Sequence, residues 1–559
     1  MTDSTYDLVI AWAGPAWITA AITFRKLNSD ARILVFDTDT FPRYKVWEVI
    51  LPWAFDILKI LDLLEPMKAA GFMRKIWAYY YWWKGKDHGF LLPGSKLEKN
   101  ADGVYTNLWP ELYAYHVDRY IYDNILIEEA RKRWIEILDG VTTVQTNFLD
   151  DDHIESVTLD DVVVKGNFYI NATGIYSGMI PNRIKKIVNY NFTWDICYHG
   201  YLKWARCIDH YPWLPHHTAT TVWSYGNQCW FWYIPISEDL VSVWMVFKSK
   251  DNPDFIKSKD KESLLLQILH SQSEVMEAIN GSEFIHHRWC PKIIIDKNWN
   301  GSASHVFWGN WVLIWDAALF TDPILSSWVT VAHRTGYYVW ALLNQYFRTE
   351  NRKFRSLLLD TYKEYCGECY IQFRDVIRFW YEWMDQWFDI DEFLRVWNNN
   401  IKKFGIIDQN QHNAPFFYVI NWLLQTVNWT SDSISVNFDQ DDYELMIQWI
   451  TWVKDFIDST DIADADILKV NIAFVLRKKL RFNGESFVLQ EYIRIENQFE
   501  SAFFISWSLS SFIQNVDGYK SIATIIRDVH GWIHHPIRTS NLKKDIKKMI
   551  LLDLLIKIN

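Results

Sequence analysis

Residues 6–17 read Tyr-Asp-Leu-Val-Ile-Ala-Trp-Ala-Gly-Pro-Ala-Trp. The run Tyr6–Ile10, apolar apart from Asp7, reads as a buried strand, the small residues after it as a turn, and about Ile18 to Leu27 as an apolar helix. Ala31–Phe36 is a second buried strand ending at Asp37, so the spacing predicts a βαβ unit with an acidic residue about twenty positions after the turn. In such a unit a dinucleotide asks for Gly-x-Gly-x-x-Gly: one glycine for the tight turn, one for approach of backbone to pyrophosphate, one for helix–strand packing. Only Gly14 is in place, between Trp12 and Trp17. Taken alone, the turn suits a plain strand–helix connection better.

Outward from this unit, a second βα pattern sits at Val312–Ile314, followed by Asp316-Ala317-Ala318. Between the two, the alternating runs Thr220–Tyr225, Cys229–Ile234 and Leu240–Phe247 predict an antiparallel sheet. Residues from about 337 to 460 read as mostly helical, with aromatic-rich stretches such as Tyr362–Trp387. In the last ninety or so residues, Ser521–Val529 and Leu542–Ile556 have helical periodicity. Leu542, Ile546, Met549 and Ile550 share one face and Lys543, Lys544, Lys547 and Lys548 the other, which predicts the solvated face of a small helical domain.

The chain has 559 residues, half of them apolar and 22% charged, which excludes a wholly disordered polypeptide. With 57 basic and 68 acidic residues its formal charge is −11, which argues against a nucleic-acid partner held through phosphates. Six scattered cysteines make no disulfide framework and favour a reducing compartment. The apolar run Leu8–Phe24 is broken by Gly14-Pro15 and preceded by Asp3 and Asp7, not by basic residues. It is therefore read neither as a leader nor as a membrane span, and the expectation is a cytoplasmic protein. No metal site is expected. Cys366-Gly367-Glu368-Cys369 is a lone pair of thiols, and the doublets His216-His217, His286-His287 and His534-His535 diverge on any regular element. The abnormal count is 33 Trp against 21 Gly.

Six segments carry a family resemblance. They are Pro42-Arg43-Tyr44-Lys45-Val46-Trp47-Glu48 with Pro52; Gly71-Phe72 with Lys75, Trp77 and Ala78; Asp118-Arg119 with Asp123; and Asn171-Ala172-Thr173-Gly174. The others are Trp230-Phe231-Trp232-Tyr233-Ile234-Pro235, and Trp315-Asp316-Ala317-Ala318 followed by Phe320, Asp322, Pro323, Ser326, Trp328 and Val329. Their residues and order resemble those of the flavin-dependent halogenases, a branch of the FAD monooxygenase superfamily.

The resemblance implies an α/β fold: a Rossmann-like FAD-binding domain with an inserted antiparallel substrate sheet and a helical C-terminal extension. The parts would be 1–190 and 286–345 for the flavin, 191–285 for the substrate sheet, 346–465 helical, and 466–559 a small helical domain. Around the cofactor it implies Trp12, Gly14, Trp17, Asp37 (ribose), Arg43, Arg119, Asp316 and Val329. Ser327 and Trp328 would bind halide, and Trp230 and Trp232 would stand between flavin and substrate, although a packed core strand accounts for that pair equally well. Lys75 would hold or capture the oxidised halogen that reduced FAD, O₂ and chloride or bromide generate. Reduced flavin would come from a separate flavin reductase. Tryptophan-specific members carry a Glu where this chain has Leu325, so the substrate class implied is a small phenol- or pyrrole-like aromatic, free or carrier-tethered. A halogenase-like monooxygenase or reductase without halide is the alternative. Trp12, Trp17, Trp47, Trp77, Trp315 and Trp328, with Trp134 and Trp244, occupy family glycine positions. Either UGA codons meaning glycine are written as tryptophan, or the chain is a non-enzymatic relative with a blocked flavin site.

Overall fold

In this computed structural model the described residues are 5–382 and 462–558. Excepted are residues 13, 52–53, 84–85, 92–96, 100–104, 108–113, 175–178, 190–195, 209–217, 226–228, 298–300, 321, 323, 325–327, 471–473, 483–486, 496–501, 505–506, 533–541, 544–545, 548–549 and 551–554. The chain divides into two compact units, residues 1–388 with 431–438, and residues 389–430 with 439–559.

The first unit begins with β1 (Thr5–Ala11), α1 (Pro15–Leu27) and β2 (Ile33–Phe36). Pro15 at the start of α1 lacks the N–H that a helix start leaves unbonded, and Asn28 closes the other end through a bond to the Phe24 carbonyl. Further along come β3 (Met73–Trp83), β4 (Ala114–His116), α2 (Arg119–Arg131) and β5 (Val162–Asn171). They are followed by β6 (Ile196–Lys203), β7 (Thr218–Tyr225), β8 (Cys229–Ser237), β9 (Leu240–Phe247) and β10 (Trp311–Leu313). Two long helices, α3 (Trp328–Arg348) and α4 (Arg352–Glu382), close the described part of the unit.

The parallel core of the first sheet runs Glu136–Leu138, β2, β1, β5, β10, with β1 at its centre. All four residues of β2 and the last four of β1 are buried, as strands covered on both faces must be. Helix α3 packs on α1 so closely that a Cβ at Gly336 would lie 2.2 Å from the Ala16 carbonyl oxygen. The cleft at the end of β1 is therefore walled by two helix starts, those of α1 and α3.

The second sheet has ten strands and corrects the expected boundaries. The antiparallel run β6–β9–β8–β7 lies where the sequence predicts it, but β7 pairs in parallel with β3, and β3 with β4. Strands Val49–Ile50, β3, Lys86–Leu91 and β4 therefore belong to this sheet, which is not confined to 191–285. A parallel partner some 140 positions away leaves no trace in local periodicity. One face of this sheet packs Tyr198, Leu202, Trp223, Phe231, Tyr233, Val243, Met245 and Phe247 into a core with Leu265, Ile268 and Leu269 of the helix Lys261–His270.

The second unit corrects the expectation of a helical domain. Helices Trp507–Gln514 and Ile522–Trp532 are present, the latter over the predicted periodic stretch. Beside them are strands Ile467–Val470, Phe474–Phe482, Phe487–Ile495, Ala502–Phe504 and Leu555–Ile558. Leu542 and Ile546 enter a core with Leu468, Phe512, Ile525 and Leu555, as their shared face predicts. The stretch predicted helical to Ile556 instead ends in a strand, since Leu555–Ile558 pairs with Ile467–Val470. Residues 383–461, most of the predicted helical region, lie outside the described residues.

Candidate active site

A cavity of about 260 Å³ opens at the carboxyl end of β1. Seven of the eight residues expected around a cofactor line it: Trp12, Gly14, Trp17, Arg43, Arg119, Asp316 and Val329, together with Thr173, Gly174 and Trp47. They converge from the β1–α1 turn, the start of α2, the end of β5, the turn after β10 and the start of α3. This is the crevice where an open α/β sheet binds ligands.

Arg119 is buried, paired with Asp123 at 2.7 Å, and donates to the carbonyls of Val46 and Trp47. It is a strut between α2 and the segment 43–48 as well as a wall of the cleft. Arg43 is paired with Asp37 at 3.1 Å and with Asp39 at 3.0 Å. Asp37 is itself fully buried, accepts from the Asp39 N–H at 2.9 Å and does not line the cavity. Asp316 is the polar group most exposed to consequence: its Oδ1 is buried without a hydrogen-bond partner, and burial pushes its carboxyl up to about 8 against the pull of a bond from Trp315 and of Arg119. A hydroxylated ligand in the cleft would supply the missing donor.

Lys75 lies elsewhere, on β3 in the second sheet, and is 1% exposed. Burial alone pushes its ammonium down to about 7, so a free amine is accessible near neutral pH. The strand register decides what shares its face. Lys75 stands opposite Ala114 of β4 and Thr218 of β7, and Met73 opposite His116. Because side chains alternate, His116 shares the Lys75 face. Alternation along β7 puts Thr220 there with Thr218, as its bond to His116 shows, and through the pairs Val222–Trp232 and Ser224–Trp230 the face continues to both tryptophans of β8.

Trp230 and Trp232 therefore lie on the face opposite the Tyr198–Phe247 core, on the Lys75 side. The Trp230 Nε1–H donates to the Tyr381 hydroxyl at 3.1 Å, and Tyr381 bonds Asp322, whose carboxyl burial lifts to about 7.

Sequence reasoning passed over two groups. His116 is fully buried, bonds the Thr220 hydroxyl through Nε2 at 2.9 Å, and bonds the backbone of Pro235, the last residue of the Trp-x-Trp-x-Ile-Pro segment. Burial first, and the neighbouring Lys75 charge second, hold its imidazole neutral. Glu48 is also buried: its Oε1 accepts from Tyr201 at 2.6 Å and Ser242 at 3.0 Å, while the His199 ring bonds Tyr44 and Ser242. Glu48 lay within one of the six segments and His116 two residues before another; a polar residue among apolar neighbours was the available signal. Ser327, expected to bind halide, lies outside the described residues. Trp328 is buried at the start of α3 against Trp315 and Phe320, with ring centroids 5.3 and 5.5 Å away. Among the described residues there is no group of three or more His, Cys, Asp or Glu that could hold a metal, and no helix is long and apolar enough to cross a membrane.

A Rossmann-type crevice thus opens in the same unit as a sheet that carries a buried lysine, and the family match below makes the chain an FAD-dependent oxidoreductase. The family profile of the tryptophan halogenases matches residues 95–389, more than half of the chain, and the protein belongs to this family, whose members use FAD and halide. It is similar to the 1H-pyrrole-2-carbonyl-[peptidyl-carrier protein] chlorinase of Pseudomonas fluorescens, with 24% identity over 356 residues covering 59% of this chain and 74% of that protein. It is also similar to the flavin-dependent halogenase armH1 of Armillaria mellea, at 24% identity over 349 residues, 59% of this chain and 63% of that one. Among solved structures, the flavin-dependent halogenase CmlS superposes with a TM-score of 0.71 at 18% identity, covering all of this chain and 96% of the other.

The cleft meets FAD only in part. The helix start at Gly14–Pro15, Arg119 and the unsatisfied Asp316 oxygen suit a phosphorylated, hydroxylated ligand. The space does not. Even drug-sized ligands occupy pockets of about 300–1,000 Å³, and here Trp12, Trp17, Trp47 and Trp315 all line a smaller cavity. Behind them Trp47 stacks on Trp244 at 4.9 Å and meets Trp232 and Phe320 edge-on, each at 6.3 Å. With these four indole rings in place the cleft does not admit FAD.

Proposed function

We propose that the protein halogenates a pyrrole- or phenol-like ring, preferentially one tethered to a carrier protein, using chloride or bromide and reduced FAD delivered by a separate reductase. One observation carries this reading: Lys75, His116, Trp230 and Trp232 share one face of one sheet, with Lys75 wholly desolvated and its ammonium destabilised. Such an ammonium polarises hypohalous acid by donating to its oxygen. The ring carbon then takes the halogen and releases its proton, and the oxygen leaves as water. Trp230 and Trp232 wall that face with rigid aromatic surface, and His116, bonded to Thr220 and to Pro235, ties β4 to β7 and β8 beside the lysine.

The substrate class rests on two supports. Leu325 stands where tryptophan-specific members carry a carboxylate, so activation must come from the substrate's own heteroatom. A similar protein bears the name of a carrier-bound pyrrole chlorinase. Were the cleft cleared of its indole rings, Arg119 and the α1 start would hold the flavin's phosphates and Asp316 a hydroxyl.

The test is product analysis by mass spectrometry with protein from the native source, reduced FAD, O₂ and either halide, on pyrrole-2-carbonyl and phenolic carrier thioesters. A halide-dependent mass gain that Lys75→Ala lowers at least about 100-fold is expected. A hydroxylated product without halide dependence overturns the reading in favour of a monooxygenase.

A further inference from the structure

We propose that the native polypeptide carries glycine, not tryptophan, at positions 12, 47, 134, 204, 289 and 315, because its gene uses UGA as a glycine codon. The backbone carries the argument, independently of any flavin. Among the described residues eleven non-glycine positions have positive φ, and six of them are these tryptophans, at 85°, 76°, 59°, 62°, 65° and 54°. Three of the other five are aspartates, which tolerate this region; a bulky side chain there is an outlier. A residue making up 33 of 559 positions has no physical reason to fill six of the eleven non-glycine positions in the region that glycine favours.

Local geometry sharpens the assignment. After α2, the Trp134 N–H donates to the Arg131 carbonyl and the Ile135 N–H to the Ala130 carbonyl, the paired bonds of a Schellman helix end. Trp134 occupies the one position of that motif where glycine is the rule. Its indole is 87% exposed, that of Trp289 84% and that of Trp204 57%, so these rings bury little that could offset the backbone cost. Trp12 and Trp315 take the same backbone form at the two turns that line the cleft, and with Trp47 they close it.

Other tryptophans behave oppositely. Trp223, Trp230, Trp232, Trp311 and Trp340 lie in regular strands or helix at 1% exposure or less and outside the positive-φ region. Trp223 stacks on Phe231 at 5.0 Å, Trp230 donates to Tyr381, and Trp340 meets Phe24 edge-on at 4.6 Å. The backbone is silent at Trp17, Trp77, Trp244 and Trp328, which lie in helix or strand.

UGA and the tryptophan codon UGG differ in one base, and a code that reads both as tryptophan writes an indole wherever the cell places glycine. Composition agrees: glycine at about 7% would number about 39, and the chain has 21 beside 33 Trp. Glycine at 12, 47 and 315 removes three of the four rings that exclude FAD from the cleft.

The experiment is peptide mass spectrometry on the full-length protein from its native source, covering the six positions, with Trp223, Trp230 and Trp232 as internal controls. Glycine at the six and tryptophan at the three is the expected result. Tryptophan at the six, or glycine at the controls as well, overturns the inference. Flavin absorption of the same sample separates this from the functional reading. Glycine at the six without bound or bindable FAD leaves the decoding standing and overturns the halogenase.

Discussion

Trp47 and Trp232 have ring centroids 6.3 Å apart and belong to two different regions of one unit. Trp232 sits on a strand, paired in register with Val222 and Trp244, in a backbone form that welcomes aromatic residues. Trp47 sits at φ 76° in the segment that walls the cleft, where a side chain is a steric cost and the backbone carbonyl is the useful group, since Arg119 donates to it. The same residue type fits the sheet and contradicts the cleft. A tryptophan's worth is thus set by φ and by what its ring buries, and the sheet and the cleft should respond to substitution with opposite signs.

The largest expected contrast is in binding. In a full-length recombinant chain, glycine at 12, 17, 47, 315 and 328 should turn undetectable FAD affinity into saturable binding, read by flavin fluorescence quenching. Next, Trp230→Ala on the sheet should cost about 3–5 kcal/mol of stability, measured by denaturant midpoint; a loss below about 1 kcal/mol would mean that the strand does not need the ring. At the exposed helix end the sign reverses. Trp134→Gly should stabilise by roughly 1–2 kcal/mol, and destabilisation there would break the comparison.

The smallest effect is a slope with pH. Lys75 is held near 7, below its ordinary 10.5, so the unfolded chain binds more protons between those values and stability rises with pH across about 7 to 10.5. Lys75→Met should flatten that rise. Asp316 works in the other direction: its carboxyl is lifted from 3.8 to about 8, the folded chain holds the extra proton, and stability falls as pH climbs through that window. Asp316→Asn should remove the fall. Thermal midpoints of both variants against pH check the two signs.

The same contrast explains what the sequence could disclose. The βαβ unit around residues 5–36 was legible because its strands are buried on both faces and read as apolar runs. The face of Trp230 and Trp232 was not, since the pairing of β3 with β7 spans some 140 residues. Segment order pointed to eight residues, and seven of them line one cleft. Asp37 escaped because its partner Arg43 is the nearer charge. His116 escaped because its partners, Thr220 and Pro235, come from other strands. The strands of the C-terminal unit lay beside helical periodicity that was real but local.

The most direct test of the account is an FAD titration of two full-length proteins that differ only at positions 12, 17, 47, 315 and 328. The glycine form is predicted to bind FAD stoichiometrically and the tryptophan form to remain colourless. Equal binding by both forms, or none by the glycine form, would contradict the claim that this cleft is a flavin site closed by the rings of Trp12, Trp17, Trp47 and Trp315.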